Sequence, residues 1–554
     1  MLSQNWTKPM PSSSSPLPIS IRDLTFQYRI RNEPAIKDIN LDLHEGELML
    51  IAGTSGCGKT TLMRCINGLI PRTYPGLIEG EINLFGRSVN TIGLAELSQT
   101  VGTILQNPER QIVSGYVLNE IAFGPENLGL ERDEILYRVD EALGYLGIAD
   151  LRDRETFTLS GGEKQKVALA GVMAMRPQIL ILDEPLASLD SASSHEALLL
   201  FRKLADEGIA VMLVEHRIDE VLSIKPDTVL YLEEAEEAYL GDVAGLMKKA
   251  DYHKMKLPAE IVMDRARKDP PPVYKPVVGL SGAGEFGDEL LSMENVSFRY
   301  DDDLPFVLHN INLSVNKGDT IAVLGPNGVG KTTLVKHALG LLKPTEGQVL
   351  LEGLDTREAT IAGSAKTIGY VFQDPGQMLF APTVEEELAF GPENLGQSET
   401  AIKENVNWAI QTVNMEEFRE SPSLALSHGQ QKRVSIAAVL AMRSRILVMD
   451  EPTAGQDYWN YRTFMDSILQ MPGFDALLFI THDLDLAITY ATRVLLLSEG
   501  KIASDGPVEQ VLKDTELLQR CRVLPTTLLD LNIKYLPDTG RFMRAEELAH
   551  QKRA

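Results

Sequence analysis

Cysteine is scarce: the 554 residues hold three, Cys57, Cys65 and Cys521. Three thiols cannot build a disulfide framework, which points to a reducing compartment. Basic charge is short as well. Lys and Arg number 53 against 78 Asp and Glu, a net charge of −25. Gripping a nucleic-acid backbone takes an excess of Lys and Arg, so the balance argues against nucleic acid as a partner. Long apolar runs are missing too. The longest, Val167 to Met175, is stopped by Arg176 after nine residues, whereas a membrane-spanning helix needs about 20. A membrane role would therefore have to come through a partner. The N-terminal stretch has no signal-peptide apolar core, and its Ser/Pro-rich part from Pro11 to Pro18 reads as a flexible tail.

What the chain does have is a long internal repeat. GTSGCGKTT at Gly53–Thr61 returns as GPNGVGKTT at Gly325–Thr333. AFGPENLG occurs twice unchanged, at Ala122–Gly129 and Ala389–Gly396. LSGGEKQ at Leu159 returns as LSHGQQK at Leu426, and ILILDEP at Ile179 returns as ILVMDEP at Ile446. Lys59 and Lys331 are 272 positions apart; Gln106 and Gln373, Ser160 and Ser427, and Asp183 and Asp450 are each 267 apart; His216 and His482 are 266 apart. One order and nearly one register make this a tandem duplication. Length alone would allow three or four domains at about 150 residues each. The repeat instead predicts two domains with short C-terminal extensions, 19–266 and 289–532. A Pro/Gly-rich linker is expected at 267–288, with tails at 1–18 and 533–554.

Short apolar runs precede both Gly-rich loops, Leu48–Ala52 and Ile321–Leu324, and read as buried parallel strands. The segments from Lys59 and Lys331 read as helices. ILIL, ILVM, Ala210–Val214 and Ala476–Ile480 read as further strands. Alternating strands and helices predict an α/β fold with a mostly parallel sheet in each half. Ser160 and Ser427 are placed to cap the apolar helices that follow them.

The repeated motifs carry phosphate chemistry. Gly53, Gly56 and Gly58 precede Lys59, Thr60 and Thr61; Gly325, Gly328 and Gly330 precede Lys331, Thr332 and Thr333. Glycines let backbone N–H groups curl around an anion, and the helix N-terminus adds its positive dipole end. Lys59 and Lys331 can reach the β- and γ-phosphates, and the Thr60 and Thr332 hydroxyls can meet Mg²⁺. One such match is now and then an ordinary turn; two in strand–loop–helix context are not. Asp183 and Asp450 end apolar strands, where a carboxylate can hold Mg²⁺. Glu184 and Glu451 follow as candidate general bases. Gln106 and Gln373 follow strand-like segments and can ligate Mg²⁺ while orienting water. His216 and His482 end strands from which a side chain can reach a γ-phosphate.

At LSGGE and LSHGQ, lying before the two DEP motifs, the sequence resembles the ATP-binding cassette (ABC) ATPases over nearly its whole length, twice. The resemblance implies two P-loop NTPase domains, each with a helical signature subdomain, that pair head to tail and sandwich ATP. It implies that Ser160 and Gly162 complete the site built on Lys331, and that Ser427 and Gly429 complete the one on Lys59. Asp190 and Asp457 would be D-loop residues crossing that interface, and Tyr28 and Tyr300 would stack on adenine. The stretches from Gln106 to Gly129 and Gln373 to Gly396 look further like the ATPase subunits of energy-coupling factor (ECF) importers for cobalt, nickel and vitamins. That family implies an integral membrane coupling subunit docked after each Gln, a separate membrane subunit that captures substrate, and a peripheral position on the cytoplasmic face of the cell membrane. An ABC-F-like factor acting on ribosomes and a sugar-importer ATPase are the alternatives. The acidic charge and Pro/Gly linker disfavour the first, and the GPENLG motifs the second.

Two departures from the family pattern matter. His428 stands where the second signature loop should have its first glycine, which puts the Lys59 site in doubt. Glu163 stands for the usual glutamine in the first signature, a milder change. The expectation is that both sites bind ATP and that the Lys331 site, facing the intact LSGG, turns over faster. Glu451→Gln should then depress steady-state ATPase more than Glu184→Gln, and equal losses in the two purified variants would contradict this.

Overall fold

Leu48–Gly53, Ile179–Asp183 and Ala210–Val214 are buried at every position. A strand covered on both faces needs a continuous apolar run rather than alternation, which is what these segments supply. The computed structural model describes residues 16–187, 189–270, 288–453, 456–469 and 474–551. The expected tail before residue 16 and the linker between 271 and 287 lie outside the described residues. The chain forms two compact units: one runs to Leu189 and resumes at Ser193–Pro258, and the other comprises Asp190–Ala192 and Ala259 onward.

In the first unit five parallel strands lie in the order Val101–Ile104, Ile179–Asp183, Ala210–Val214, Leu48–Gly53 and Thr228–Glu233. The sheet continues antiparallel to Glu236–Gly241, which meets Ile36–Leu43 in parallel, and then antiparallel through Ile19–Tyr28 to Gly76–Leu84. The second unit repeats the parallel core as Ile368–Val371, Ile446–Asp450, Ala476–Ile480, Thr320–Leu324 and Arg493–Ser498. Its antiparallel strands Leu308–Asn316, Glu289–Phe298 and Glu346–Leu351 form a separate sheet. The difference is one rung of pairing. Lys37 N–H donates to Ala235 O at 2.7 Å in the first unit and His309 N–H to Gly500 O at 2.8 Å in the second, but only the first adds a residue pair, Glu236 with Lys37. The expected α/β fold is thus present twice, with a parallel core inside a mixed sheet.

Each copy also carries a cluster of three helices: Val117–Asn127, Arg132–Tyr145 and Gly161–Ala174, then Val384–Asn394, Glu399–Thr412 and His428–Met442. Within each set they pack on one another. The unchanged AFGPENLG has a structural reason. Pro125 and Pro392 lie inside the helices, where each removes one backbone donor. Two residues on, an Asn amide braces the same turn, Asn127 Nδ2 donating to Phe123 O at 2.7 Å and Asn394 Nδ2 to Phe390 O at 2.8 Å. A Cβ on Gly124 would sit 2.5 Å from Met175 Sδ, and one on Gly391 2.6 Å from Met442 Cγ. Glycine there lets the first and third helices close.

The C-terminal boundaries differ from those expected. Ala259–Ala266 belongs to the second unit, packed on Thr527–Thr539 and Ala545–Ala549. Its Val262, Met263 and Ala266 are buried, so it is not an extension of the first domain alone. Nor is 533–551 a loose tail. Phe542, Met543, Ala545 and Leu548 are buried, and Asn532 holds Met543 through both backbone groups at 2.8 and 2.9 Å. The polar ends of this stretch hid a short apolar patch with no clear period. No helix among the described residues is long and apolar enough to cross a membrane.

Gly391→Val should overpack the helix pair and cost about 1–3 kcal/mol. Thermal unfolding would show a lower midpoint, partly restored by adding Met442→Ala.

Candidate active site

Both phosphate loops close in the same way. Gly58 and Gly330 take φ of 107° and 102° directly before the helices Lys59–Ile66 and Lys331–Ala338. Those angles favour glycine and aim the first helical N–H groups into the loop. Lys59 Nζ donates to Gly53 O at 2.9 Å and Thr54 O at 2.8 Å; Lys331 Nζ donates to Gly325 O at 2.8 Å and Pro326 O at 2.9 Å. Both ammoniums are buried. Burial holds Lys331 below the usual lysine range, against the pull of Glu451, Asp450 and Asp190.

The candidate acids stand at the next strand ends. Asp183 is pushed up to about 6, first by burial and then by the neighbouring charge of Glu184. Asp450 is raised for the same two reasons, with Glu451 as its neighbour. Thr332 Oγ1 donates to Asp450 Oδ2 at 3.1 Å, which brings two of the expected Mg²⁺ ligands together. Glu184 and Glu451 follow with φ of 47° and 46°, a left-handed backbone that non-glycine residues adopt at a cost. That kink turns each glutamate back along the sheet edge. His216 Nε2 lies 2.9 Å from Glu184 Oε1, and His482 Nε2 lies 3.0 Å from Glu451 Oε1. Gln106 Nε2 donates to Glu184 Oε2 at 2.6 Å.

The remaining expected residues fall around these. Ser160 and Ser427 cap their helices through a reciprocal box with Glu163 and Gln430. Glu163 Oε2 accepts from Ser160 N–H at 2.7 Å and Oγ–H at 2.8 Å, and Gln430 Oε1 accepts both at 2.9 Å. The carboxylate therefore does the glutamine's capping work, with Arg154 3.5 Å away. Gly162 and Gly429 lie in the first turns of these helices. The effect expected of His428 falls on a side chain outside those the structure describes. Tyr28 and Tyr300 place their hydroxyls 3.1 and 3.2 Å from Thr61 Oγ1 and Thr333 Oγ1, with each ring edge-on to Phe26 or Phe298. Asp190, grouped with the second unit, accepts from Asn327 N–H at 3.0 Å beside the Lys331 loop. Asp457 accepts from Asn460 N–H at 2.8 Å.

Three groups were not read from the sequence. Tyr370 O–H donates to Asp450 Oδ2 at 2.7 Å; the first copy has Thr103 at that place. Glu215, buried and pushed up to about 7 by that burial, accepts from Leu186 N–H at 2.9 Å and His216 N–H at 3.0 Å; the second copy has Thr481 beside its His482. Lys432 is fully buried inside its helix packing, and burial pushes it down to about 8. The signal for all three was a chemical mismatch between otherwise matched copies.

A family model described as ABC transporter matches residues 36–187 and again 308–454. The chain belongs to the ABC transporter family. Relatives described as ABC transporter ATP-binding proteins share this length. One from Methanosarcina acetivorans is 35% identical over 560 residues, covering 93% of this chain and 90% of its own. One from Lactiplantibacillus plantarum is 35% identical, covering 97% of this chain and 100% of its own. A solved structure of cbiO1 from Clostridium perfringens, described as part of the ABC transporter complex cbiONQ, aligns at 33% identity and a TM-score of 0.38, covering 42% of this chain and 94% of that one. The protein is thus an ATP-binding ABC ATPase with two cassettes in one chain.

Removing the Tyr370 hydroxyl strips a hydrogen bond from a buried carboxylate. Tyr370→Phe should cost about 1.5–3 kcal/mol of stability, read as a lower thermal midpoint, while Thr103→Val should cost less.

Proposed function

We propose that this chain is the energy-coupling ATPase of a membrane importer of the ECF type, lying peripherally on the cytoplasmic face of the membrane. The reading is supported most directly by an apolar ledge behind each Gln. In the second unit Phe380 and Phe390 are exposed, their rings packed edge to face at 4.7 Å. The ledge is built, not loose: Phe380 and Ala381 N–H both donate to the buried Glu387 carboxylate at 2.8 Å. The first unit repeats it, with Val113 and Ser114 N–H on Glu120 at 2.9 and 2.7 Å, and Val113, Tyr116 and Phe123 exposed. Exposed apolar surface held rigid by a buried acid suits a helix of a membrane coupling subunit. A separate membrane subunit would capture the vitamin or metal ion.

At each site Lys59 or Lys331 would bind the β- and γ-phosphates. The donors Thr60, Gln106 and Asp183, and Thr332, Gln373 and Asp450, are hard oxygen groups that suit Mg²⁺; bound there, the ion would neutralise phosphate charge. Glu184 or Glu451, held by its histidine, would take a proton from the water attacking the γ-phosphorus, releasing ADP and phosphate. Ser160 and Gly162, with Asp190, would complete the Lys331 site when the cassettes pair; Ser427 and Gly429, with Asp457, would complete the Lys59 site. His428 would weaken the latter.

Solubilised membranes should yield the tagged protein together with a polytopic membrane subunit. Phe380→Ser with Phe390→Ser should reduce recovery of that subunit about tenfold or more, because hot-spot aromatics carry most of such an interface. Recovery with ribosomes and without a membrane subunit would refute the importer.

A further inference from the structure

Lys432 lies on the helix His428–Met442, three residues from the signature glycine Gly429, and is 0% exposed. A buried ammonium is costly unless its three donors find acceptors. Here they do: Nζ donates to Phe372 O at 2.8 Å, to Gln373 O at 2.9 Å and, more weakly, toward Asp450 O at 3.5 Å. One side chain of the signature helix therefore clamps the backbone of the Q-loop glutamine and the end of the strand that carries Asp450. A helix position in an apolar core asks for an apolar residue, so packing does not account for a charge here.

The first copy lacks this clamp. Gln165 stands in the matching place and sends its amide to Pro185 O, in the DEP turn itself, not to the Q-loop. Its signature helix reaches the Q-loop segment through Lys164 and Glu109, a pair whose acid is 63% exposed and therefore weak.

We propose that Lys432 is a positioning residue of the second site: its ammonium fixes the Q-loop carbonyls to the signature helix, so that Gln373 is held in place for hydrolysis at the Lys331 site and moves with that helix. The inference rests on the roles given above to Gln373 and Glu451. It goes beyond them in assigning to one residue the mechanical link between two motifs, and in confining that link to one half of the chain.

The full-length protein tests this in two backgrounds, one with hydrolysis disabled by Glu184→Gln and one by Glu451→Gln. Lys432→Gln installs the residue that the first copy already uses, so the fold should accept it, and Lys432→Met keeps the length without the charge. In the Glu184→Gln background both should lower kcat about tenfold with KM for ATP changed less than about twofold, the pattern of a lost transition-state interaction. Adding Lys432→Gln to Gln373→Ala should cause no further loss, since the clamp acts through that residue. A kcat unchanged by Lys432→Gln while Gln373→Ala still lowers it would overturn the inference alone. An equal fractional loss in the Glu451→Gln background would overturn it as a general structural effect. If Gln373→Ala left turnover unchanged, the site reading and the inference would fall together.

Discussion

The junction after the strands Ile179–Asp183 and Ile446–Asp450 is the constraint on which both sites depend. There the chain must leave the sheet, present one carboxylate at the strand end and turn the next one sideways. It does so with glutamate at φ of 47° and 46°, a conformation that costs about 1–3 kcal/mol. The strain is held by hydrogen bonds on both sides. Glu184 and Glu451 N–H donate to Val214 O and Ile480 O at 3.0 Å, while their side chains meet the histidines that follow those same strands. Strand order does the rest. The strand before Gln106, the one ending in Asp183, the one before His216 and the one before the phosphate loop are consecutive neighbours, so their C-terminal ends bring these candidate site residues to one edge.

Given that edge, electrostatics distinguishes the copies. In each, an aspartate and a lysine are buried close together beside the glutamate, and burial raises the aspartate. The second copy relieves its aspartate with two hydroxyls, Thr332 and Tyr370, and with the Lys432 ammonium nearby. The first copy leaves Asp183 to the positive charges of Lys59 and Arg64. It spends a second buried acid, Glu215, on tying the DEP turn to its histidine strand. Identical motifs are thus set in unlike surroundings, and two sites that look alike by their glycines and lysines need not act alike.

How much of this was legible follows the same division. Ala210–Val214 and Ala476–Ile480 were read to the residue, because fully buried strands need unbroken apolar runs. The glycine, lysine and acid motifs were legible because their spacing is imposed by phosphate geometry, and Ser160 and Ser427 because a capping box has a four-residue signature. The left-handed glutamates were not legible, since nothing in a DEP triplet marks its φ. The helices Thr527–Thr539 and Ala545–Ala549 were missed because their few apolar residues pack on Ala259–Ala266, far away in sequence, and tertiary partners of that kind leave no local period. Tyr370 hid inside an apolar strand, while Glu215 and Lys432 hid among polar neighbours, in VEHR and GQQKR, where one more polar residue reads as ordinary surface until its copy is seen to differ.

Those differences bear on why two cassettes share one chain. A homodimer of a single cassette would carry the same residue in both signature helices, and a change from glutamine to lysine would fall on both sites at once. In a fused pair, Gln165 and Lys432, Thr103 and Tyr370, or Glu163 and Gln430 can diverge independently, because each complex holds one of each. The clamp at Lys432 is useful only if one Q-loop is to be held more firmly than the other, and covalent linkage is the simplest way to make that inequality permanent. On this argument the linker matters for joining the two copies, and the −25 net charge plays no part in their inequality. The informative chemistry lies in the handful of buried polar positions where the repeat stops repeating.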